Sequence, residues 1–391
     1  MWLPDDFYER VHGRVLEALA EARLDGMIVT APADVAYLAG FYYAVTERPV
    51  YLWIGADGAR HCLLPELDSE YAAAQRIRAE TATYFEYPGV ISPEQHLGTL
   101  LAGIGAGTGR IGYAPSLASG TLEAVRRELP DAALVPTGLV GRLRLRKEPE
   151  EIALHRSAAE ICDAMLAAGR TMISDAIAAG GPLPREGEIA RHVIGHGTDL
   201  IYDRYDHVVF TTKLAGGLVY AGPNSARPHG LPSSRRVEVG DTLILSLGAA
   251  VASRFVESER TFVIGEPTDD QRRYFGVVAE AQQVGTDAMI AGRSCADVNA
   301  ACLAVIKDAG YGRFLRHRQG HGIGIAQHEP PWIEDGDRTP LAPGMIVSSE
   351  PGLYVPGHAG YRISDSVLIT EDGPERLTRY PRTLEENVIA A

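Results

Sequence analysis

The sequence predicts an α/β chain of two domains, a smaller α/β domain over residues 1–142 followed by a larger α+β domain over residues 143–391. Three observations predict this. The 391 residues exceed the ordinary size of a single domain. Up to about Val140, helical and strand-like patterns alternate. Beyond Lys147 a long amphipathic helix leads into a region rich in strand formers and glycine turns.

From the N-terminus, Tyr8 to Leu24 carries apolar residues at helical spacing (Val11, Val15, Leu16, Leu19), and Gly26 opens a strand from Met27 to Thr30. A short helix around Pro32–Leu38 ends at Gly40. Strand-like runs follow at 50–54, 61–64, 83–87, 110–112 and 133–135, with a helix over 121–129 between the last two. The boundary falls near Arg142–Lys147. Pro149-Glu150-Glu151 then starts a helix that runs to about Ile177, with proline in the first turn and acids where the helix dipole favours them. Gly180-Gly181-Pro182 breaks it. Further helices are expected over 186–195 and 270–291, and mostly strands elsewhere beyond Tyr202.

The chain is 46% hydrophobic with a formal charge of −14, which supplies a core and disfavours binding to a phosphate backbone. Four scattered cysteines without a C-x-x-C pair argue against a disulfide framework or zinc ribbon and fit a reducing cytoplasm. Met1-Trp2-Leu3-Pro4-Asp5-Asp6 lacks the basic and apolar regions of a signal peptide, and no apolar run is long enough to span a membrane.

Four segments in the second half concentrate polar chemistry. One is the loop Pro223–His229. A second is a hairpin, Gly240–Gly248 returning over Phe255–Phe262, whose alternation puts Thr242, Ile244 and Ser246 on one face and three leucines on the other. The same alternation puts Glu257 and Glu259 together. Burying such a pair is costly, because dehydration raises both pKa values and the like charge raises one further. The third segment is Gly320–Pro331, with His321 and His328. The fourth runs from Gly344 through Glu350 to Tyr354 and continues at Gly360-Tyr361-Arg362-Ile363-Ser364-Asp365. These residues suit a shared polar pocket. A loop histidine also serves as a turn residue, strand glutamates are often solvated, and glycines mark bulges.

The runs G-H-G-I-G…H-E-P-P, S-E-P-G-L-Y and G-D-T-L-I-L-S-L-G…E-R-T-F resemble the creatinase, prolidase, aminopeptidase P and methionine aminopeptidase superfamily. The match covers residues 143–391, beginning at Leu143-Arg144-Leu145-Arg146-Lys147-Glu148-Pro149. It implies a pita-bread catalytic domain, preceded over residues 1–142 by the smaller N-terminal domain of the creatinase and prolidase branch.

Peptidases of this superfamily hold two divalent metals with two Asp, one His and two Glu. Those positions are here Ser246, Glu257, His321, Glu350 and Ser364. Two neutral hydroxyls replace carboxylates that bridge and neutralise two ions. The resemblance to creatinase, which works without metal, implies no cofactor. It gives His229 the role of proton shuttle and makes Glu259 and Glu350 anchors for a cationic group. His321 and His328 complete the catalytic set, and Glu257, Arg362, Ser246, Ser364 and Tyr42 line the substrate. Phe41–Pro49 resembles a segment whose arginine reaches the substrate carboxylate from the partner subunit, so Arg48 is expected to act across a homodimer. The H-E-P-P run and Glu257 depart from creatinase towards prolidases. The expectation is therefore a metal-independent hydrolase cleaving a C–N bond of a small cationic or zwitterionic amino-acid derivative, with no nucleic-acid or membrane partner. The alternatives are an Xaa-Pro dipeptidase-like enzyme with one manganese, cobalt or zinc ion on Glu257, His321 and Glu350, and an inactive binding protein.

Overall fold

The computed structural model describes residues 2–85, 87 and 89–391. They divide into two compact units, Trp2–Arg144 and Leu145–Ala391, which places the boundary at 144/145 instead of 142/143.

The first unit is built from α1 (Asp5–Ala22), β1 (Gly26–Val29), α2 (Pro32–Ala39), β2 (Tyr51–Gly55), β3 (Arg60–Pro65), α3 (Ser69–Ala74), β4 (Glu80–Tyr84), α4 (Pro93–Gly103), β5 (Gly109–Tyr113), α5 (Ser119–Glu128), β6 (Ala132–Pro136) and α6 (Leu139–Arg144). Its six-stranded sheet runs β4-β3-β2-β1-β5-β6. Phe7, Val11, Val15 and Leu19 form the buried face of α1. The strand expected over 83–87 starts earlier, at Glu80, and ends at Tyr84; residue 86 of that expected span lies outside the described residues. Helix α4 was not expected. Ser92 caps it and Gln95 closes the capping box, with Pro93 at the first position.

The second unit contains α7 (Pro149–Ala178), α8 (Glu186–Arg204), β7 (Ala215–Ala221), β8 (Thr242–Val251), β9 (Arg254–Ile264), α9 (Asp269–Asp287), α10 (Cys295–Asp308), β10 (Gly320–Gly322), β11 (Glu329–Ile333), β12 (Ile346–Ser349), β13 (Gly352–Val355), β14 (Ala359–Arg362), β15 (Ser364–Thr370), β16 (Gly373–Arg376), α11 (Leu384–Asn387) and β17 (Val388–Ile389). Its main sheet is ordered β11-β10-β12-β15-β9-β8-β7. One core joins the sheet to α7 and α8 through Ile161, Met165, Ile189, Val193, Leu243, Leu245 and Leu247. A second joins α9 and α10 to β13 and β14 through Phe275, Val278, Leu303, Leu353 and Tyr361. Removing this apolar area from water is the dominant favourable term in holding the layers together. Among the described residues, no helix is long and apolar enough to cross a membrane. All four cysteines are buried and free.

Three helices of this unit depart from the expected pattern. Helix α8 continues to Arg204 instead of stopping at Gly195, because Gly197 is a packing position: a Cβ there would sit 2.5 Å from the Met165 sulfur. Helix α9 ends at Asp287, four residues short of the expected 291. Helix α10, also unexpected, is capped by Ser294.

Between α7 and β9, His155 is fully buried, with Nδ1 donating to the Phe255 carbonyl at 2.8 Å and Nε2 lacking a hydrogen-bond partner. Burial, then the Lys147 charge, hold its pKa well below the ordinary value. The unfolded chain therefore binds the extra proton first, and stability falls as pH drops below about 6.5. Denaturant titrations at pH 7.5 and 5.5 are expected to show this loss, and His155→Gln is expected to shrink it while costing about 1–3 kcal/mol at pH 7.5. An unchanged pH dependence in that variant would assign the loss to other groups.

Candidate active site

The β8–β9 hairpin sets the centre of the site. Its antiparallel register places Ser246 opposite Glu259 and Gly248 opposite Glu257, and β15 brings Ser364 beside Glu259 from the other side. The leucines of β8 enter the helix-facing core, so the Ser246 face points the other way, as strand alternation requires. The Gly320-His321-Gly322 strand lies between β11 and β12. Neither glycine has room for a Cβ, which would meet the Ser348 and Pro330 carbonyls. This close approach carries His321 onto the same wall, with its N–H held by Ser348 Oγ at 3.0 Å. Glu350 follows β12, its N–H donating to the Gln319 carbonyl at 2.8 Å.

These residues face a cavity of about 540 Å³, lined by His229, Ser246, Glu257, Glu259, His321, His328, Glu350 and Arg362 among others. The three glutamates are compensated in different ways. Glu259 accepts a short hydrogen bond from Ser246 Oγ and pairs with Arg362 Nε at 2.5 Å. Glu350 Oε1 lies 3.2 Å from His321 Nε2, and Glu257 Oε2 lies 3.6 Å from the same nitrogen. Ser364 Oγ donates to Glu257 Oε1 at 3.0 Å.

Burial, then the charge of Glu350, raise the Glu257 pKa, so this acid holds its proton well above the ordinary carboxylate range. Burial also penalises ionised Glu350, but the His321 imidazole overrides it and the pKa falls. Burial opposes protonation of His321, and the two carboxylates win, raising its pKa. His328 stacks on His321 at a centroid distance of 3.8 Å. Burial, then the His321 charge, bring its pKa down to about 4, which leaves it unprotonated at pH 7 and a weaker proton acceptor than an ordinary imidazole.

Arg362 is fixed deep in the wall. Besides Glu259 it donates to Tyr220 Oη at 2.5 Å and to Tyr354 Oη at 3.2 Å. His317 Nδ1 donates to the Arg318 carbonyl at 2.7 Å, so its Nε2 accepts from Tyr354 at 2.8 Å. Glu329, beside His328, turns away and pairs with buried Lys147 at 3.0 Å, which anchors the loop that delivers His328.

The expected site residues thus divide. His229, Ser246, Glu257, Glu259, His321, His328, Glu350 and Arg362 line one cavity, and Ser364 supports it from behind. One correction concerns Glu259: its oxygens are engaged by Ser246 and Arg362, so it positions Arg362 instead of standing free to anchor a ligand. Arg362 is likewise held inside the wall by internal partners. Tyr42 and Arg48 lie in the first unit. Tyr42 is buried, with its main chain clamped by Gln75 at 2.9 and 2.6 Å, and Arg48 pairs with Glu47 at 2.7 Å. Sequence reasoning missed Tyr220, His317 and the cationic lining residues Lys213, Arg316 and Arg318. The R-H-R run immediately before Gln319-Gly320-His321 was the available signal.

The donor set decides which metal centre fits. A five-donor dinuclear centre does not, since two of its positions are serines whose hydroxyls already donate to glutamates. A single cation does fit. Donor atoms of Glu257, His321 and His328 all lie within 4.8 Å of one another, so the third donor of the set is His328 in place of the Glu350 expected from the sequence. His321 Nδ1 is held at 3.0 Å by the Gly322 carbonyl, and its buried Nε2 makes no well-aligned hydrogen bond.

The comparisons with known proteins agree with this architecture. Residues 153–371 match the model of metallopeptidase family M24, and residues 12–146 match the creatinase/prolidase N-terminal domain. A probable dipeptidase PepE of Mycobacterium tuberculosis is 30% identical over 390 residues, covering 97% of this chain and 96% of that protein. An Xaa-Pro dipeptidase of Pyrococcus furiosus is 36% identical over 249 residues, 62% of this chain and 65% of the other. The crystal structure of dipeptidase PepE from Mycobacterium ulcerans superposes with a TM-score of 0.85 at 27% identity, covering 100% of both chains. The chain belongs to metallopeptidase family M24, with the two-domain creatinase/prolidase architecture, and is a hydrolase of that family.

If the serines are what prevents a dinuclear centre, the double variant Ser246→Asp, Ser364→Glu is expected to gain a divalent-ion site over the wild type, read by calorimetric titration with manganese. Identical stoichiometry in the two proteins would contradict that reading.

Proposed function

We propose that this protein hydrolyses an amide-type C–N bond in a small, positively charged amino-acid derivative, using a carboxylate–histidine cluster in place of a pair of metal ions. The observation that carries the proposal is the pairing of Ser246 with Glu259 and of Ser364 with Glu257. Glu350, ionised and on the cavity wall, offers a charge-assisted anchor to the cationic part of the substrate. Glu257 retains a proton at neutral pH and can donate it to the departing nitrogen. His229 is exposed on the cavity wall and acts as the proton shuttle, taking a proton from water as the water oxygen attacks the carbon. His328, unprotonated on the same wall, is a weaker second acceptor. Collapse of the tetrahedral intermediate breaks the C–N bond, and the nitrogen leaves with the donated proton. In this reading Arg48 of the partner subunit meets the carboxylate end of the substrate in a homodimer, with Tyr42 behind it.

A second reading, a dipeptidase with one metal, is favoured by the Glu257–His321–His328 cluster and by the dipeptidase names of the relatives. A divalent ion on those residues would supply Lewis-acid polarisation of the scissile carbonyl.

The deciding experiment assays chelator-treated and manganese-supplemented protein against guanidino acids, amido acids and Xaa-Pro dipeptides. Turnover of a charged amide or amidino substrate that survives chelation is expected. Metal-requiring cleavage of Xaa-Pro dipeptides alone would overturn the first reading in favour of the second. Glu350→Gln and His229→Ala are each expected to lower kcat by roughly 10²-fold or more. Undiminished turnover in either would remove that residue's role. Arg48→Ala is expected to raise KM with little change in kcat; an unchanged KM would place the carboxylate contact elsewhere.

A further inference from the structure

A second cavity, of about 410 Å³, opens near the end of the chain and shares no lining residue with the active site. Its wall presents Arg376, Arg379 and Arg382, and a single carboxylate, Glu386. Glu386 is already engaged, accepting from Thr383 Oγ1 at 2.7 Å in the cap of α11.

Behind the wall lies Asp365, with no solvent exposure. Its Oδ1 accepts from Arg260 at 2.7 Å and Thr378 at 2.9 Å, and its Oδ2 accepts from Gln282 at 2.9 Å and Arg382 at 3.3 Å. Arg376 Nε approaches the same Oδ2 only to 3.4 Å and is buried without a well-aligned hydrogen bond. The other acids nearby act on the cluster only at longer range, Asp287 on Arg376, Glu375 on Arg379 and Asp163 on Arg260, and each has a closer partner of its own. Glu375 binds Arg156 through both oxygens, Asp163 accepts the Arg379 backbone N–H at 2.7 Å, and Asp287 is held by Gln283. Arg379 makes no ion pair among the described residues.

Of four guanidinium groups, Arg260, Arg376 and Arg382 converge on the single carboxylate of Asp365, and Arg379 pairs with none of the described carboxylates, in a chain whose formal charge is −14. Burial, then repulsion from Arg382, lower the Arg376 pKa against the pull of Asp365 and Asp287. Guanidinium forks match tetrahedral oxyanions bidentately. We propose that this arginine-lined cavity is a binding site for an oxyanion of the phosphate class. The site lies one residue layer behind the catalytic wall. Arg260 Nη1 donates to the carbonyls of Glu259 at 2.8 Å and Ser364 at 2.7 Å, so the pair that an anion would rebalance also clamps β9 to β15.

The test is isothermal titration of the full-length protein with inorganic phosphate, and in parallel with glycerol phosphate, at constant ionic strength set by sodium chloride. Saturable binding of one anion per chain is expected, weakened about tenfold or more in Arg379→Ala and in Arg382→Gln. Arg316→Ala, in the other cavity, is expected to bind as wild type. Tighter phosphate binding points to the free ion as ligand, and tighter glycerol phosphate binding to a phosphomonoester. Because Arg379 is exposed, its variant keeps the test decisive even if Arg382→Gln perturbs folding. Absence of saturable binding, or loss of binding in Arg316→Ala with retention in Arg379→Ala, would overturn the proposal.

Discussion

Three glutamates share one buried wall, and the catalytic domain has to hold them together without losing the sheet that carries them. An unpaired carboxylate there would cost several kcal/mol in dehydration alone. The structure compensates each differently. Arg362 neutralises Glu259, His321 neutralises Glu350, and Glu257 keeps its proton under the pressure of burial and the neighbouring charge. Ser246 and Ser364 supply the remaining hydrogen bonds. The cluster is thereby balanced by the chain's own groups, and this balance distinguishes it from a wall of carboxylates arranged to bridge two dications.

That balance depends on backbone placement. The ten-residue pairing of β8 with β9 sets which side chains oppose one another, and a slip of one residue would turn Glu257 and Glu259 towards the leucine core. Arg260, pointing the opposite way from Glu259, ties the same strand to β15 through Asp365 and two main-chain carbonyls. The close approach at Gly320 and Gly322 then brings His321 within reach of both acids. Pocket chemistry and sheet register are consequently one constraint, seen from the two faces of the sheet.

Much of this was legible in the sequence because it is local. Strand alternation puts Glu257 and Glu259 on one face, the glycines around His321 signal a tight backbone, and the serines in place of two carboxylates are visible at once. The contacts that decide roles are not local. Arg362 reaches Glu259 from a strand more than a hundred residues away, which removes Glu259 from the set of free anchors. Lys147 captures Glu329 across the domain, a pairing no periodicity reveals. Helices α4 and α10 carried readable caps at Ser92 and Ser294 that their weak apolar patterns obscured, and α8 outlasted a glycine pair because Gly197 serves Met165.

The central claim is that this M24 chain has given up the dinuclear centre while retaining a charge-balanced hydrolytic wall. It is tested most directly by the metal content of the wild-type protein after incubation with excess manganese, cobalt or zinc and gel filtration. The account predicts no more than one retained ion per chain. Two tightly held ions per chain would show that serine hydroxyls suffice at both positions, and would contradict it.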